Sequence, residues 1–334
     1  MPKVSVLMPM FNSEKYIRKA IESILNQTFQ DFELVILNDG SIDESVNIVH
    51  SYQDKRIRLV HNEQNQGLAK TRNRLIAEAK GEFIAWLDSD DIAHTERLKI
   101  QVDFLEKHPK HAFVASWARL VDNDGNPTGG FIKSYIPDTH LSALLLFVNY
   151  IVQSSVLLRK SLLPTQHYNL DYPPTEDYEL WVRIAQNHPI AILKDILVDY
   201  RVHDTNISFT QNDKAMRTVK LNHEGQLRKL GIEPSLEELN LHYQLGFEHG
   251  EKTDKEFIKK AENWLLKLEQ HNQKNKIYDI EALKYILAHR WTKICTSNPE
   301  LGLSVLGLYF KSKILKLTLQ NSFIIGQYLT KALL

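Results

Sequence analysis

The sequence predicts an α/β fold: a mixed, mostly parallel sheet flanked by helices, followed by an α-helical C-terminal region. Three observations carry this expectation. Short β-rich apolar runs alternate with helical periodicities over residues 1–213, and parallel neighbours need such crossovers. Three of the runs end in polar or acidic residues, at Asn12, at Asp39 and at 88–91 (DSDD); sites in open α/β sheets lie beyond the carboxyl ends of the strands. From 214 to 334 the pattern is almost wholly helical. Two domains, 1–213 and 214–334, are therefore expected, in keeping with 334 residues at roughly 150 per domain.

The elements follow in order. Residues 3–9 (KVSVLMP) read as a strand ended by Pro9. A helix follows, with Ser13 as N-cap, Glu14 in its first turn, and Ile17, Ala20, Ile21, Ile24 and Leu25 at helical spacing. Residues 32–37 (FELVIL) are a continuous apolar strand ending at Asn38-Asp39-Gly40. Next come a helix over 43–52, a strand over 57–60, a helix over 68–79, a strand over 83–87 and a helix over 95–107. After a strand at 112–117, residues 122–130 (DNDGNPTGG) form a turn-rich loop or hairpin. A strand at 154–158, a helix from about 175 and a strand over 198–203 complete the first region. Beyond it, Phe257, Ala261, Trp264, Leu265 and Leu268 mark one helix, and Ile280, Leu283, Leu287, Trp291 and Ile294 another.

Composition excludes several classes. With 43% hydrophobic and 25% charged residues, wholesale disorder is ruled out. The single cysteine, Cys295, excludes an internal disulfide framework and a cysteine-based zinc finger. The apolar run 141–152 is too short to span a bilayer, and MPKVSVLMPMFN lacks the apolar core and cleavage site of a signal peptide. A cytosolic chain is expected. Zero net charge disfavours a nucleic-acid partner. It conceals a division: residues 1–214 hold 23 Lys+Arg against 28 Asp+Glu, residues 215–334 hold 18 against 13. Neither a GxxxxGK[ST] phosphate loop nor a GxGxxG follows the first strand. His223-Glu224 has Leu227 where a zincin needs its second histidine, and 302–307 (GLSVLG) misses the nucleophile-elbow spacing.

The remaining constellation is acidic. Asp88, Asp90 and Asp91 repel one another unless a cation or hydrogen-bond donors compensate. Mg²⁺ and Mn²⁺ take one or two carboxylates and complete their shell with phosphate and water, so this D-x-D suits a metal carrying a diphosphate; a solvated acidic turn is the alternative. Asp39 either accepts from a nucleobase N–H or ribose hydroxyl, or forms the turn and caps the next helix. Gly67 opens a helix where its backbone admits an anion, and Arg72, one turn in, faces phosphate or base or else solvent. Glu176 and Asp177 start a helix, either serving its dipole or supplying a general base. His203 is a metal ligand or a structural hydrogen-bonder.

VSVLMPMFN, LNDGSID, QGLAKTRN, LDSDD, TEDYELW and YRVHDTNIS, in that order, resemble the family 2 inverting glycosyltransferases with a GT-A fold. The resemblance covers roughly residues 3–210 and looks closest to bacterial enzymes that extend lipooligosaccharide, O-antigen or capsule chains. It implies a UDP-sugar donor, a saccharide or lipid-linked saccharide acceptor, and Mn²⁺ or Mg²⁺. It places Pro9, Phe11, Asn12 and Gly67 beside the nucleotide, Asp39 on the uracil, Arg72 facing the nucleotide, and Asp88 on ribose or metal. Asp90 would ligate the metal, His203 would complete the metal site or touch the pyrophosphate, Asp177 would be the base and Glu176 an acceptor or donor-sugar contact; Asp91, at the fourth position of DSDD, carries no assigned role. A nucleotidyltransferase is the enzymatic alternative, but MPMFNSEKY lacks its glycine-rich basic loop. A non-catalytic glycan-binding scaffold is the other, countered by the joint presence of Asp39, Asp90 and Asp177. In the tail, 301–334 carries Lys311, Lys313, Lys316 and Lys331 and no acidic residue. Two readings stand: a basic face docking on an anionic inner membrane leaflet, or a helix packed on the catalytic domain or a second subunit.

Overall fold

The computed structural model describes residues 1–204, 211–247, 254–296 and 304–314. The chain divides into two compact units, one of 1–138 with 150–218 and one of 139–149 with 219–334. Residues 205–208 of the YRVHDTNIS block, and Lys316 and Lys331 of the basic tail, lie outside the described residues.

In the first unit, β1 (Val4–Met10), β2 (Phe32–Asn38), β3 (Ile57–His61), β4 (Phe83–Trp86), β5 (Ile92–Ala93), β6 (Phe113–Val121), β7 (Pro127–Ile132), β8 (Leu157–Arg159) and β9 (Ile190–Arg201) form one sheet. Its order is β3-β2-β1-β4-β8-β6-β9-β5, with β7 paired to β6. The half built from β3, β2, β1 and β4 is parallel. At β8 the sheet turns antiparallel to β4 and β6, and β6 then runs parallel to β9. The helices of the parallel half are α1 (Ile17–Leu25), α2 (Ser45–His50), α3 (Leu68–Glu78) and α4 (Arg97–Lys107). Val4, Val6, Met8, Leu34, Ile36 and Ala85 from the sheet meet Ile17, Ile21, Ile24, Leu98, Val102 and Leu105 from α1 and α4 in one buried cluster. Central parallel strands are covered on both faces, which is why β1 and β2 read as continuous apolar runs.

Two sequence expectations are corrected. Pro9 does not end β1 but lies inside it, paired with Leu37. Leu7 accepts from Leu87 N on the β4 side and Met10 accepts from Asp39 N on the β2 side. By alternation, the missing N–H of Pro9 faces the β4 side, where pairing has stopped at Leu7 and Trp86. Ser13 is not the N-cap of α1; that position is Tyr16, without a side-chain cap bond. The carbonyl of Ser13 instead accepts from Tyr16 N and Ile17 N, while its hydroxyl is held by Ser89 at 2.7 Å. Strands β6 and β9 are also longer than their apolar runs, because they pair with each other along most of their length. The turn-rich 122–130 stretch is a hairpin whose second strand, β7, takes in Gly129 and Gly130.

The second unit is helical. Its helices are Leu236–Gly246, Lys255–Asn275, Ile280–Thr296 and Ser304–Lys311, with the division between units falling inside Asn212–Lys229. Ser235 and Glu238 form a reciprocal capping box, and Asp254 caps the next helix through Phe257 N. His242 stacks on Phe147, donates from Nε2 to Leu146 O at 2.9 Å, and accepts the Trp264 indole N–H at Nδ1 at 3.0 Å. Among the described residues, no helix is long and apolar enough to cross a membrane.

Gly81 fixes the start of β4 against β1. Ser5 Oγ accepts from Lys80 N and Gly81 N and donates to Glu33 Oε1 at 2.6 Å. A Cβ on Gly81 would lie 2.6 Å from Ser5 N and 2.8 Å from the Val4 carbonyl carbon. Since backbone cannot yield as a side chain can, Gly81→Ala is expected to destabilise the first unit by about 1–3 kcal/mol or more, read as a lowered urea midpoint.

Candidate active site

The loops after β1 and β2 brace one another. Asn12 adopts a left-handed backbone, φ 49°, which asparagine tolerates better than most residues. Its amide oxygen accepts from Ile42 N at 3.0 Å, and its own N–H donates to Ser41 Oγ at 3.0 Å. Phe11 beside it is 48% exposed, an unusual outlay of aromatic surface at a strand end, whereas Pro9 is buried within β1. Asp39 is buried and serves the following loop rather than the helix after it. Oδ1 accepts from Asn62 Nδ2 at 2.6 Å and Gln66 N at 2.9 Å, and Oδ2 from Gly67 N at 3.0 Å. Gly67, at φ +84°, then starts α3.

Arg72 leaves α3 inward. It is 4% exposed and donates to Glu176 Oε1 at 2.9 Å and to Asp88 at 3.2 Å, tying α3 to the end of β4 and to α5 (Glu176–Ala185). The ring of buried Tyr168 lies 5.7 Å from its guanidinium carbon. Burial works against its charge, yet Asp88 and Glu176 outweigh this and hold its pKa above the usual arginine value. Glu176 is fully buried, with Oε2 left without a hydrogen-bond partner. Asp177, on the same first turn, has its pKa pushed up to about 7, by burial first and then by Glu176, with Arg72 opposing. That places a carboxyl at the ionisation range useful for taking a proton near neutrality.

The acidic turn sits beside this cluster. Burial raises the Asp88 pKa; Arg72 opposes, and Asp90 and Glu176 add to the rise. Asp91 is 1% exposed and lies well above the ordinary carboxylate range, through burial and then through Asp90 and Asp88. Its Oδ1 accepts from Arg201 N at 2.9 Å while Oδ2 has no hydrogen-bond partner. Asp90 Oδ2 meets His203 Nε2 at 3.0 Å, and the His203 ring stacks on Tyr16 with centroids 5.1 Å apart. Asp88, Asp90 and Asp91 crowd one turn, a charge density that a divalent cation would relieve. Among the described residues no group of three or more His, Cys, Asp or Glu is placed to hold a metal ion by itself, so a cation there would need phosphate or water for the rest of its shell.

The structure thus brings Arg72, Asp88, Glu176 and Asp177 into one cluster, links Asp90 to His203, and sets Asp39 and Gly67 together on the α3 loop. It adds residues to which the sequence assigned nothing. Tyr168 and Asn73 are joined by reciprocal bonds of 2.8 Å, Asn73 Nδ2 to Tyr168 O and Tyr168 N to Asn73 Oδ1. Arg201 donates to the carbonyls of Asp90, Asp122 and Asn123. Asn73 and Arg201 stand inside the quoted motifs QGLAKTRN and YRVHDTNIS; Tyr168 and Tyr16 carried no local signal.

Removing Arg72 leaves buried negative charge unpaired. Arg72→Met is expected to destabilise the fold by about 3–5 kcal/mol in urea unfolding, and adding Glu176→Gln should recover part of the loss.

A model described as glycosyl transferase family 2 matches residues 5–162. Among curated relatives, the Escherichia coli protein WfaP, named UDP-Glc:alpha-D-GlcNAc-diphosphoundecaprenol beta-1,3-glucosyltransferase, is 30% identical over 234 residues, spanning 70% of this chain and 88% of WfaP. Among solved structures, S. aureus TarS 1-349 in complex with UDP-GlcNAc superposes with a TM-score of 0.54 at 19% identity, covering 92% of each chain. The mannosyltransferase PcManGT of Pyrobaculum calidifontis, in complex with GDP-Man and Mn²⁺, gives 0.55 at 14% identity over 99% of this chain and 86% of its own. The mixed sheet with flanking helices is the GT-A fold of these neighbours, and the chain belongs to glycosyltransferase family 2.

Proposed function

We propose that the chain transfers a hexose or N-acetylhexosamine from a UDP-sugar to a saccharide or lipid-linked saccharide acceptor, with inversion, in bacterial surface polysaccharide or lipooligosaccharide synthesis. The observation that carries this reading is the cluster in which Arg72 binds Glu176 and Asp88 beside Asp177, whose pKa is about 7. WfaP uses a UDP-sugar by its name, and TarS holds UDP-GlcNAc; both support a uridine donor here. Asp39 accepts from the base, with Phe11, Asn12 and Gly67 around the nucleotide and Pro9 buried beneath them in β1. Docking on a membrane or a second subunit through the basic C-terminal residues belongs to the same reading; Lys311 and Lys313 are exposed.

An acceptor hydroxyl is a weak nucleophile, so Asp177 takes its proton as the oxygen attacks the anomeric carbon. A single base with no covalent nucleophile gives in-line displacement, so an α-linked donor yields a β-glycoside. Glu176 is fully buried, so the acceptor or donor-sugar contact implied for it gives way to a supporting role: it fixes the Arg72 guanidinium, which helps to hold the nucleotide. Asp90, with Asp88 and His203, would hold Mn²⁺ or Mg²⁺, which supplies charge neutralisation for the departing diphosphate. The Mn²⁺ in the PcManGT complex is in keeping with a metal-assisted transfer.

A base works only as the carboxylate. With a pKa of about 7 for Asp177, kcat/KM is expected to fall about tenfold per pH unit below that value and to level off above it. Asp177→Asn should lower kcat by about 10²–10⁴ while UDP affinity stays within about twofold, read by UDP release and by calorimetry; full turnover would overturn the base assignment. EDTA should abolish transfer, with Mn²⁺ or Mg²⁺ restoring it, and UDP-sugars should release nucleotide where GDP-mannose does not.

A further inference from the structure

Asp39 is held by two backbone donors, Gln66 N on Oδ1 and Gly67 N on Oδ2, and by one side chain. Asn62, at the end of β3, is buried and gives its amide N–H₂ to Asp39 Oδ1 at 2.6 Å, with a second contact to Thr71 Oγ1 at 3.3 Å. The other end of the amide is settled by chemistry. Asn62 Oδ1 accepts from Arg74 Nη1, and the same nitrogen donates to the His61 carbonyl at 2.7 Å. Arginine has donors only, so the amide oxygen must face Arg74 and the N–H₂ must face Asp39. Oδ1 of Asp39 is then filled by Asn62 and Gln66 N, while Oδ2 takes Gly67 N and keeps acceptor capacity.

We infer that Asn62, oriented by Arg74, is a positioning residue that locks the Asp39 carboxylate so that Oδ2 receives the imide N–H of the donor's nucleobase. The inference rests on the reading of Asp39 as the base acceptor. Its geometry is a chain from the outer face of α3 to the loop after β2, Arg74 to Asn62 to Asp39, running beside a cavity of about 440 Å³ lined by His61, Asn62, Glu63, Gln66, Lys70 and Arg74. The benefit is preorganisation: the carboxylate is already desolvated and aimed before the nucleotide arrives.

The probe is UDP with Mg²⁺, its dissociation constant measured by calorimetry on the full chain, with thermal unfolding followed alongside. Asn62→Leu is expected to weaken UDP about tenfold, and Arg74→Leu by a smaller factor. Asn62→Asp separates positioning from mere structure. It keeps the shape but sets a second carboxylate against Asp39, so binding should be poor at a pH of about 8. As the pH falls to about 5.5 the new carboxyl protonates and donates in place of the amide, so UDP should tighten. His61, Glu63, Lys70 and Arg74 surround the pair in both proteins, so the wild-type profile is the baseline for the variant. A destabilised fold would show no recovery in acid. UDP binding by Asn62→Leu within about twofold of wild type, with Asp39→Asn clearly weakened, would overturn the inference alone. Unchanged binding in Asp39→Asn would overturn the base-acceptor reading and the inference with it.

Discussion

The buried guanidinium of Arg72 is the constraint around which the active-site end of the first unit is built. It is nearly inaccessible, yet it joins Asp88 at the end of β4 to Glu176 at the start of α5. Breaking such a pair by removing one partner is far more costly than the pair is stabilising, because a buried charge is then left alone. The sheet therefore depends on all three groups being present. What this arrangement secures is position: two segments about a hundred residues apart are held so that Asp177 stands beside the acidic turn.

Charge crowding sets the chemistry of the rest. Asp88, Asp90 and Asp91 stand within four positions on one turn, and burial raises Asp88 and Asp91 before the neighbours add their share. Arg97, fully buried beneath them, donates to Trp86 O at 2.8 Å and Val156 O at 3.2 Å. Burial draws its pKa down to about 9, with Asp91 opposing, so it remains a cation at neutral pH. Among the described residues it makes no direct ion pair with a carboxylate, so it does not neutralise the acidic turn. The same logic raises Asp177 to about 7: burial and the neighbouring Glu176 both oppose its ionisation, with Arg72 acting the other way.

Much of this was legible in the sequence because it is local. Apolar runs that are buried on both faces read as strands, and helix periodicity marked α1 and α3, while the acid pair Glu176-Asp177 marked the start of α5. Boundaries failed where the deciding partner was distant. Pro9 continues β1 because β4 has already ended beside it, and Ser13 loses the cap to Tyr16 while its hydroxyl goes to Ser89. The extensions of β6 and β9 come from pairing with each other, for which neither run holds a signal. At the site, acidic residues after strands pointed to Asp39, Asp88 and Asp90 and an acid pair at a helix start pointed to Asp177, whereas Tyr168 and Tyr16 act through partners remote in sequence: the Arg72 guanidinium and Asn73 for Tyr168, and the His203 ring for Tyr16.

By itself, the sequence determined the alternation of strands and helices, the acidic turn after β4, the acid pair that starts α5 and the ordered motifs of the family. These depend on side-chain type and on spacings of one to four residues, which the chain carries within itself. The tertiary structure decided which of those residues act on one another. It turned Arg72 inward to pair with Glu176, set His203 against Asp90, and gave Asp39 to Asn62 instead of to the helix that follows it. Burial and partner charge fix the pKa of Asp177 and the orientation of Asp39, and both arise only when segments remote in sequence exclude water together.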